Sequence, residues 1–414
     1  MTDHGEIHAD YLGHARRLGE RLLASARVQP DGSLTWGRGA DRDRQPVVDS
    51  GPVSGRCGEA YFFAALARAT GEAVFEESAL GALAGIREGV DHGVGGDAGP
   101  RATFAALLTR LRLGVAGVGG MIYVLVRTGQ RLDRPELIDD ARSLARFLST
   151  ERIEADTTYD VSWGVAGALL GLLALADTGS ERALGQAEAC GRHLLARRTL
   201  DERSGLRAWK TLRELPSTGF AHGACGIAHA LLRLHLRTGD LAFRDAALEA
   251  FAFERALYRE DLDHWQEWWG HTETHPRFTS WCHGAPGVGL SRLTSLECLD
   301  AEHEVAVVRD LQLALRATAN ARTPTVDTLC CGYFGRIDIL LEAGARLEND
   351  SLTRQARRLA DLRLERAGQE GFHNAMSPEP TPLLGGFWQG EAGIGYTLLR
   401  LARPRSLPCI LSMA

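Results

Sequence analysis

The stretch from Phe220 to Leu234, FAHGACGIAHALLRL, decides the fold, because it joins a Gly-x-x-Gly tetrapeptide to an apolar run. The same arrangement recurs along the chain at a spacing of about 50–60 residues. The first glycines of the seven tetrapeptides are Gly55, Gly114, Gly164, Gly223, Gly284, Gly332 and Gly390. One such tetrapeptide carries no information, but seven at this regular spacing indicate a protein built from repeats.

The runs that follow the glycines are apolar on almost every side, which is typical of helices buried in an interior. Examples are ALLGLLALA (168–176) and IGYTLLRLA (394–402). The segments between these runs are charged and amphipathic, as in SLTRQARRLADLRLERAG (351–368). Each repeat therefore predicts one inner and one outer helix. Strand candidates are short, such as SLTW at 33–36.

The ends of the repeat array favour a closed ring over an open stack. An open stack needs terminal repeats with a polar outer face. The last repeat, GFWQGEAGIGYTLLRLA (386–402), is instead as apolar as the middle ones. We therefore predict an all-α protein, an (α/α)7 toroid or double-layered α-barrel of seven helical hairpins, in a single domain spanning residues 1–414.

Composition narrows the possible functions. The chain has 414 residues, 44% of them hydrophobic, and a formal net charge of -6, which argues against a nucleic-acid or anionic-membrane surface. The first 20 residues lack the pattern of a secretion signal, and no apolar stretch is long enough to span a membrane. We expect a cytoplasmic location. In that compartment, clustered cysteines among the eight present point to a metal or to catalysis rather than to disulfides.

Aligning the repeats on their first glycine brings chemically active residues into register. One or two positions before that glycine lie Cys282, Cys330, Cys331, His222 and His283. Equivalent positions of a closed ring surround one end of its cavity, so these side chains are expected to converge. Three thiolates with a fourth position left open make a catalytic zinc site. The alternatives are ordinary buried cysteines, or a site in which His283 replaces one cysteine as ligand.

His222 is the candidate for proton transfer, because imidazole titrates near neutral pH. The alternative is a core histidine bonded to a backbone carbonyl. Asp160 lies four residues before its repeat glycine, where it can orient His222, hold a peptide, or only shape a turn. We interpret His229, on an apolar run, as structural. The aromatic and histidine-rich segment 264–278 is predicted to form a lid or a substrate wall.

The motifs SWCHGAPGVGL, LCCGYFG, FAHGACGIAHALLRL and FWQGEAGIGYTLLRLA make the chain resemble the lanthionine cyclase (LanC) family over nearly its whole length. The resemblance implies a helical toroid with one zinc ion, bound by Cys282, Cys330 and, in the place of a common histidine, Cys331. This three-cysteine variant is similar to the cyclase domains of class II lanthipeptide synthetases. His222 and Asp160 match the family's active-site histidine and aspartate.

Two positions depart from the family pattern. His283 stands where the family has a tyrosine, which makes it a further candidate catalytic residue. An arginine that some members carry before the first zinc cysteine has no clear equivalent, since Phe278 stands there with Arg277 beside it. The dehydratase domain of class II synthetases is absent as well, so we expect a stand-alone cyclase rather than an excised domain.

The implied activity is the addition of peptide cysteine thiols to dehydroalanine or dehydrobutyrine, which forms lanthionine or methyllanthionine rings. The implied partners are a dehydrated precursor peptide, a separate dehydratase and an export transporter. One alternative is a relative that adds a small thiol such as glutathione. Another is a non-catalytic peptide-binding scaffold whose zinc is closed by His283. A glycoside hydrolase would need a pair of carboxylates, and only Asp160 lies near the predicted rim.

Overall fold

The computed structural model describes residues 10–30, 32–36, 55–93, 108–265, 279–321, 326–373 and 385–413. In chain order the helices are α1 (Tyr11–Ser25), α2 (Arg56–Thr70), α3 (Ala73–Gly93), α4 (Val118–Leu132), α5 (Pro135–Ala145), α6 (Thr150–Glu154), α7 (Val165–Ala176), α8 (Glu181–Ala196), α9 (Ala224–Thr238), α10 (Leu241–Ala256), α11 (Ala285–Ser295), α12 (Ala301–Asn320), α13 (Tyr333–Arg346), α14 (Asp350–Glu370) and α15 (Glu391–Ala402). The strands are β1 (Arg27–Val28), β2 (Leu34–Thr35), β3 (Thr199–Asp201), β4 (Leu206–Ala208), β5 (Tyr258–Arg259) and β6 (His264–Trp265).

Seven inner helices form a closed ring. They are α2, α4, α7, α9, α11, α13 and α15; each packs on the next, and α15 packs on α2. The first six pair with the outer helices α3, α5, α8, α10, α12 and α14. The seventh, α15, has α1 from the other end of the chain as its outer partner. The predicted (α/α)7 toroid is confirmed, and its last hairpin is assembled from two segments distant in sequence.

The repeat glycines begin the inner helices. The first glycine is the N-cap in six repeats, namely Gly55, Gly164, Gly223, Gly284, Gly332 and Gly390. The second repeat differs, because α4 begins three residues later and its N-cap is Gly117. The residues before it instead bond to the neighbouring loop, with Val115 N donating to Val161 O at 2.9 Å. The helix starts therefore lie at one end of the ring.

One pair of inner helices touches through glycine. A Cβ atom at Gly171 of α7 would lie 2.1 Å from the carbonyl oxygen of Gly119 on α4. Real Cβ atoms do not approach backbone so closely, so only glycine permits this spacing of the two helices. The high glycine content of the repeats thus has a packing reason at this contact.

Three short antiparallel hairpins, β1–β2, β3–β4 and β5–β6, follow the outer helices α1, α8 and α10. Two of them lead directly into a buried tryptophan that closes the preceding helix. Trp36 Nε1 donates to Leu22 O, and Trp209 Nε1 donates to Leu194 O, both at 2.8 Å. The strand predicted at 33–36 is confirmed by β2, although it is only two residues long.

Residues 409–413 lie inside the ring. Cys409, Ile410, Leu411, Ser412 and Met413 are all buried. Ile410 and Met413 line a small apolar cavity with side chains from α2 and α4. On the other side, His229 Nε2 of α9 donates to Ser412 O at 2.8 Å. This segment therefore fills the centre of the toroid. Among the described residues, none of the helices has the length and apolar character required to cross a bilayer.

Candidate functional site

Three cysteine sulfurs meet at the end of the ring where the inner helices begin. Cys282 precedes α11, and Cys330 and Cys331 precede α13. The Sγ of Cys331 lies 3.4 Å from the Sγ of Cys282 and 3.4 Å from that of Cys330. All three sulfurs lie within 4.8 Å of one another. Sulfurs bound to one tetrahedral zinc at about 2.3 Å are about 3.8 Å apart, so the group fits such an ion.

The described residues supply no fourth donor to this group. No other histidine, cysteine or carboxylate of the described chain joins the three sulfurs within the same distance. His283 is adjacent in sequence to Cys282, but it lies outside the group. The three cysteines could therefore hold a metal ion with one coordination position open, which is the arrangement of catalytic rather than structural zinc.

The loops that carry the cysteines are held by their neighbours. Cys330 N donates to Trp388 O at 2.8 Å, and Trp388 stacks on Trp281 with 4.8 Å between ring centroids. Trp281 Nε1 in turn donates to Leu411 O at 3.1 Å. The segment inside the ring thus supports the indole next to Cys282. This support places the sulfurs on rigid backbone, as a preorganised metal site requires.

The close approach of the sulfurs separates their acidities. Hydrogen bonds with Cys282 and Cys330 lower the pKa of Cys331 to about 4. Hydrogen bonds with Cys282 and Cys331 raise the pKa of Cys330 well above its ordinary value. A bound cation would stabilise the thiolate form of all three sulfurs.

His222 and Asp160 form a hydrogen-bonded pair beside this group. His222 Nδ1 lies 2.8 Å from Asp160 Oδ2. The other carboxylate oxygen, Oδ1, accepts from Trp163 N at 2.6 Å and from Gly164 N at 3.2 Å. Asp160 is fully buried, whereas the side chain of His222 is 16% exposed. The carboxylate therefore fixes the imidazole from behind and leaves Nε2 available to a ligand.

A row of side chains runs along the rim from this pair. The His222 ring lies 5.0 Å from Trp163 and 5.5 Å from His283, measured between centroids. The guanidinium of Arg112 lies over the Trp163 ring, 5.2 Å from its centroid. Sequence reasoning missed Trp163 and Arg112. They occupy the same two repeat positions as the selected cysteines and histidines, and this register was the signal that could have found them.

The remaining sequence candidates lie elsewhere. His229 is fully buried in the core, and burial lowers its pKa to about 3, which agrees with a structural role. Of the predicted lid at 264–278, His264 and Trp265 are buried in β6. Arg277, Phe278 and the rest of that segment lie outside the described residues.

The chain matches one protein-family model in sequence and several solved proteins in structure. The family model of lanthionine synthetase C-like proteins matches residues 46–412. Nisin cyclase has a similar structure, with a TM-score of 0.70 and 17% identity over 97% of this chain and 98% of that one. A GH76 α-mannanase of Bacteroides thetaiotaomicron reaches a TM-score of 0.51 with 9% identity, over 95% of each chain.

No curated protein matches significantly in sequence. At these identities the structural matches establish the shared ring fold alone. The family model is different evidence, because its match extends over nearly the whole repeat array and includes the cysteine and histidine motifs. The chain therefore belongs to the family of lanthionine synthetase C-like proteins.

Proposed function

We propose that this protein is a zinc-dependent lanthipeptide cyclase. The observation that carries the proposal is the position of the His222–Asp160 pair beside three sulfurs to which the described residues add no fourth donor. A scaffold with a structural zinc would need that donor. The family match and the likeness to nisin cyclase support the same reaction class.

The proposed metal ligands are Cys282, Cys330 and Cys331. A zinc ion held there would supply Lewis acidity, which lowers the pKa of a substrate cysteine thiol from about 8.5 so that thiolate is present at neutral pH. Cys331 replaces the histidine that is common among relatives. An all-sulfur ligand set is more negative than one with an imidazole, which makes the substrate sulfur more nucleophilic.

The protonation of the α-carbon after thiol addition is assigned to His222. The substrate thiolate adds to the β-carbon of a dehydroalanine or dehydrobutyrine, so a C–S bond forms and the C=C π bond breaks. The electron pair passes to the α-carbon and its carbonyl as an enolate. His222 Nε2 then delivers a proton to the α-carbon. The proton released by the thiol balances the one consumed, and mass is conserved.

Asp160 is the positioning residue for that transfer. Its carboxylate receives the Nδ1–H of His222, which fixes the tautomer and stabilises the imidazolium that must form. Trp163 N and Gly164 N donate to the other oxygen of this carboxylate and hold it in place. His283 faces His222 on the same rim and is proposed to contact the substrate.

The proposed partners follow from the reaction. The substrate is a dehydrated precursor peptide, so a separate dehydratase must act before this protein, and an export transporter is expected to act after it. We place the reaction in the cytoplasm, and we assign it to one domain that spans residues 1–414.

The experiment incubates the zinc-loaded protein with a synthetic peptide that carries one dehydroalanine and one cysteine. Ring formation leaves the mass unchanged but consumes the thiol. Mass spectrometry after N-ethylmaleimide treatment should therefore show loss of the alkylated species. The same assay with added glutathione separates the alternative, because addition of that thiol would raise the mass by one glutathione. A peptide that keeps its free thiol under all conditions would contradict the proposal.

A further inference from the structure

Arg112 presents a positive charge at the rim. Its side chain is exposed, and no described residue accepts a hydrogen bond from its guanidinium. Its backbone, in contrast, is fixed, because Arg112 O accepts from Val118 N at 3.0 Å, and Leu111 O accepts from Arg152 Nη2 at 2.8 Å. A guanidinium on a rigid turn, with none of its five donors bonded to a described residue, is arranged for a ligand rather than for the fold.

Arg112 is connected to the proposed reaction centre by direct contacts. Its guanidinium lies over Trp163, the Trp163 ring meets His222 edge-on, and His222 faces His283. His283 is the sequence neighbour of Cys282. These four side chains form a continuous wall from Arg112 to the sulfur group, with successive spacings of 5.2, 5.0 and 5.5 Å. A wall of this length accommodates several residues of an extended peptide.

The two ends of the wall carry opposite charge. With a divalent cation bound, three thiolates would outweigh its charge, and Asp160 adds a buried carboxylate beside them, so the sulfur end would be negative. The Arg112 end is positive. A guanidinium binds a carboxylate through two parallel hydrogen bonds, and the negative end repels the same group. A peptide with one carboxylate and one thiol is therefore held in one direction only.

We propose that Arg112 anchors a carboxylate of the substrate peptide and, with Trp163, sets the direction in which the peptide lies on the rim. The proposal rests on the proposed peptide-cyclase function. Arg112 is a positioning residue: it binds the peptide away from the reacting atoms, while the thiol and the dehydrated residue reach the sulfur group and His222. The carboxylate comes from an acidic side chain or from the C-terminus of the peptide.

Fluorescence anisotropy with four labelled probe peptides tests this proposal. Each probe has one cysteine, and alanine in place of dehydroalanine, so that it binds without reacting. The probes combine a C-terminal carboxylate or amide with a glutamate or glutamine. Arg112→Gln should weaken binding of the carboxylate-bearing probes by about tenfold or more, because charged hydrogen bonds are lost. The affinity of Arg112→Lys should lie between those of the parent and of Arg112→Gln, because lysine keeps the positive charge but lacks the paired donors of the guanidinium.

The control variant is Arg237→Gln, which removes an exposed arginine from the last turn of α9, at the far end of that helix from the rim. It should bind all four probes as the parent does. If amidation abolishes the effect of Arg112→Gln, the anchor is the C-terminal carboxylate; if glutamine abolishes it, the anchor is the side chain. Equal weakening for the probe without either carboxylate, no weakening for any probe, or no binding by the parent would overturn the proposal. Because these probes cannot cyclise, the thiol-consumption assay tests the proposed function separately.

Discussion

The Nδ1 atom of His222 lies 2.8 Å from Oδ2 of Asp160, although 62 residues separate them in sequence. We expect His222→Ala to keep its zinc and to lose about 10²–10⁴-fold in the rate of cyclisation, the usual contribution of a general acid. Asp160→Asn should show a smaller loss, because the imidazole remains but its orientation and positive charge are less well supported. Single-turnover thiol consumption and zinc analysis on the same samples measure both effects. Loss of zinc from His222→Ala would contradict its role as a proton donor.

Alanine substitution of Cys282, Cys330 or Cys331 should reduce zinc content well below one ion per chain. Each change leaves only two sulfurs in a group that has no other described donor. Metal analysis after dialysis measures the effect. Cys298→Ala is the matched control, because Cys298 is a free, partly exposed cysteine outside the group, and it should retain full zinc. Near-stoichiometric zinc in all three variants would refute the ligand assignment.

Cys331→His should stay folded, retain zinc and cyclise peptides more slowly than the parent. Imidazole is neutral, so the site becomes one unit less negative and withdraws more electron density from the substrate sulfur. The thiol pKa falls further, but bound thiol is already ionised at neutral pH, and the lost nucleophilicity should dominate. Single-turnover kinetics with zinc measured in parallel decide the question. A fully metallated variant that matches or exceeds the parent rate would show that ligand charge does not set the rate.

Gly171→Ala should destabilise the protein by about 1–3 kcal/mol, the usual cost of overpacking, because its Cβ would meet the backbone of Gly119. Gly185→Ala is the control. Gly185 lies within the outer helix α8, and a Cβ there meets nothing within 4 Å, so alanine should stabilise by about 0.5–1 kcal/mol. Urea unfolding of the parent and the two variants measures whether each substitution lowers or raises the free energy of unfolding. Equal behaviour of the two variants would mean that α4 and α7 can separate freely.

The pKa of His229 gives stability a dependence on pH. Burial lowers this pKa from 6.5 to about 3, so between these values the unfolded chain binds a proton that the folded protein excludes. Neutral, buried His229 therefore contributes fully to the free energy of unfolding above pH 6.5. This contribution is lost as the pH falls toward 3, by up to about 1.4 kcal/mol per pH unit. His229→Gln should flatten the free energy of unfolding in this window relative to the parent.

The repeat architecture was predictable because glycine spacing and apolar runs are local signals. The start of α4 was not predictable, because Gly114 and Gly117 both satisfy the glycine pattern. The backbone hydrogen bond between Val115 and the loop at Val161 makes Gly117 the N-cap, and no sequence pattern reports that bond. The pairing of α1 with α15 joins the two ends of the array, and no periodicity reports such a contact.

Part of the site was also predictable from the repeat spacing. The sulfurs share repeat positions, so register alone brings them together. Asp160 occupies a different position from His222, and the sequence left its role open between a turn and an orienting contact. In the structure one carboxylate oxygen holds the turn and the other holds the histidine. Likewise, no pattern in residues 409–413 indicates that they support Trp281 from inside the ring.

The pairing of α1 with α15 has a consequence for synthesis on the ribosome. The apolar stripe of α1, with Ala15, Leu18 and Leu22, emerges more than 360 residues before its principal partner. At typical translation rates of about 5–20 residues per second, that interval is on the order of tens of seconds. Throughout it the stripe lacks its main cover, and the nascent chain has the exposed surface that chaperones bind. The ring can close only after translation has passed the last repeat.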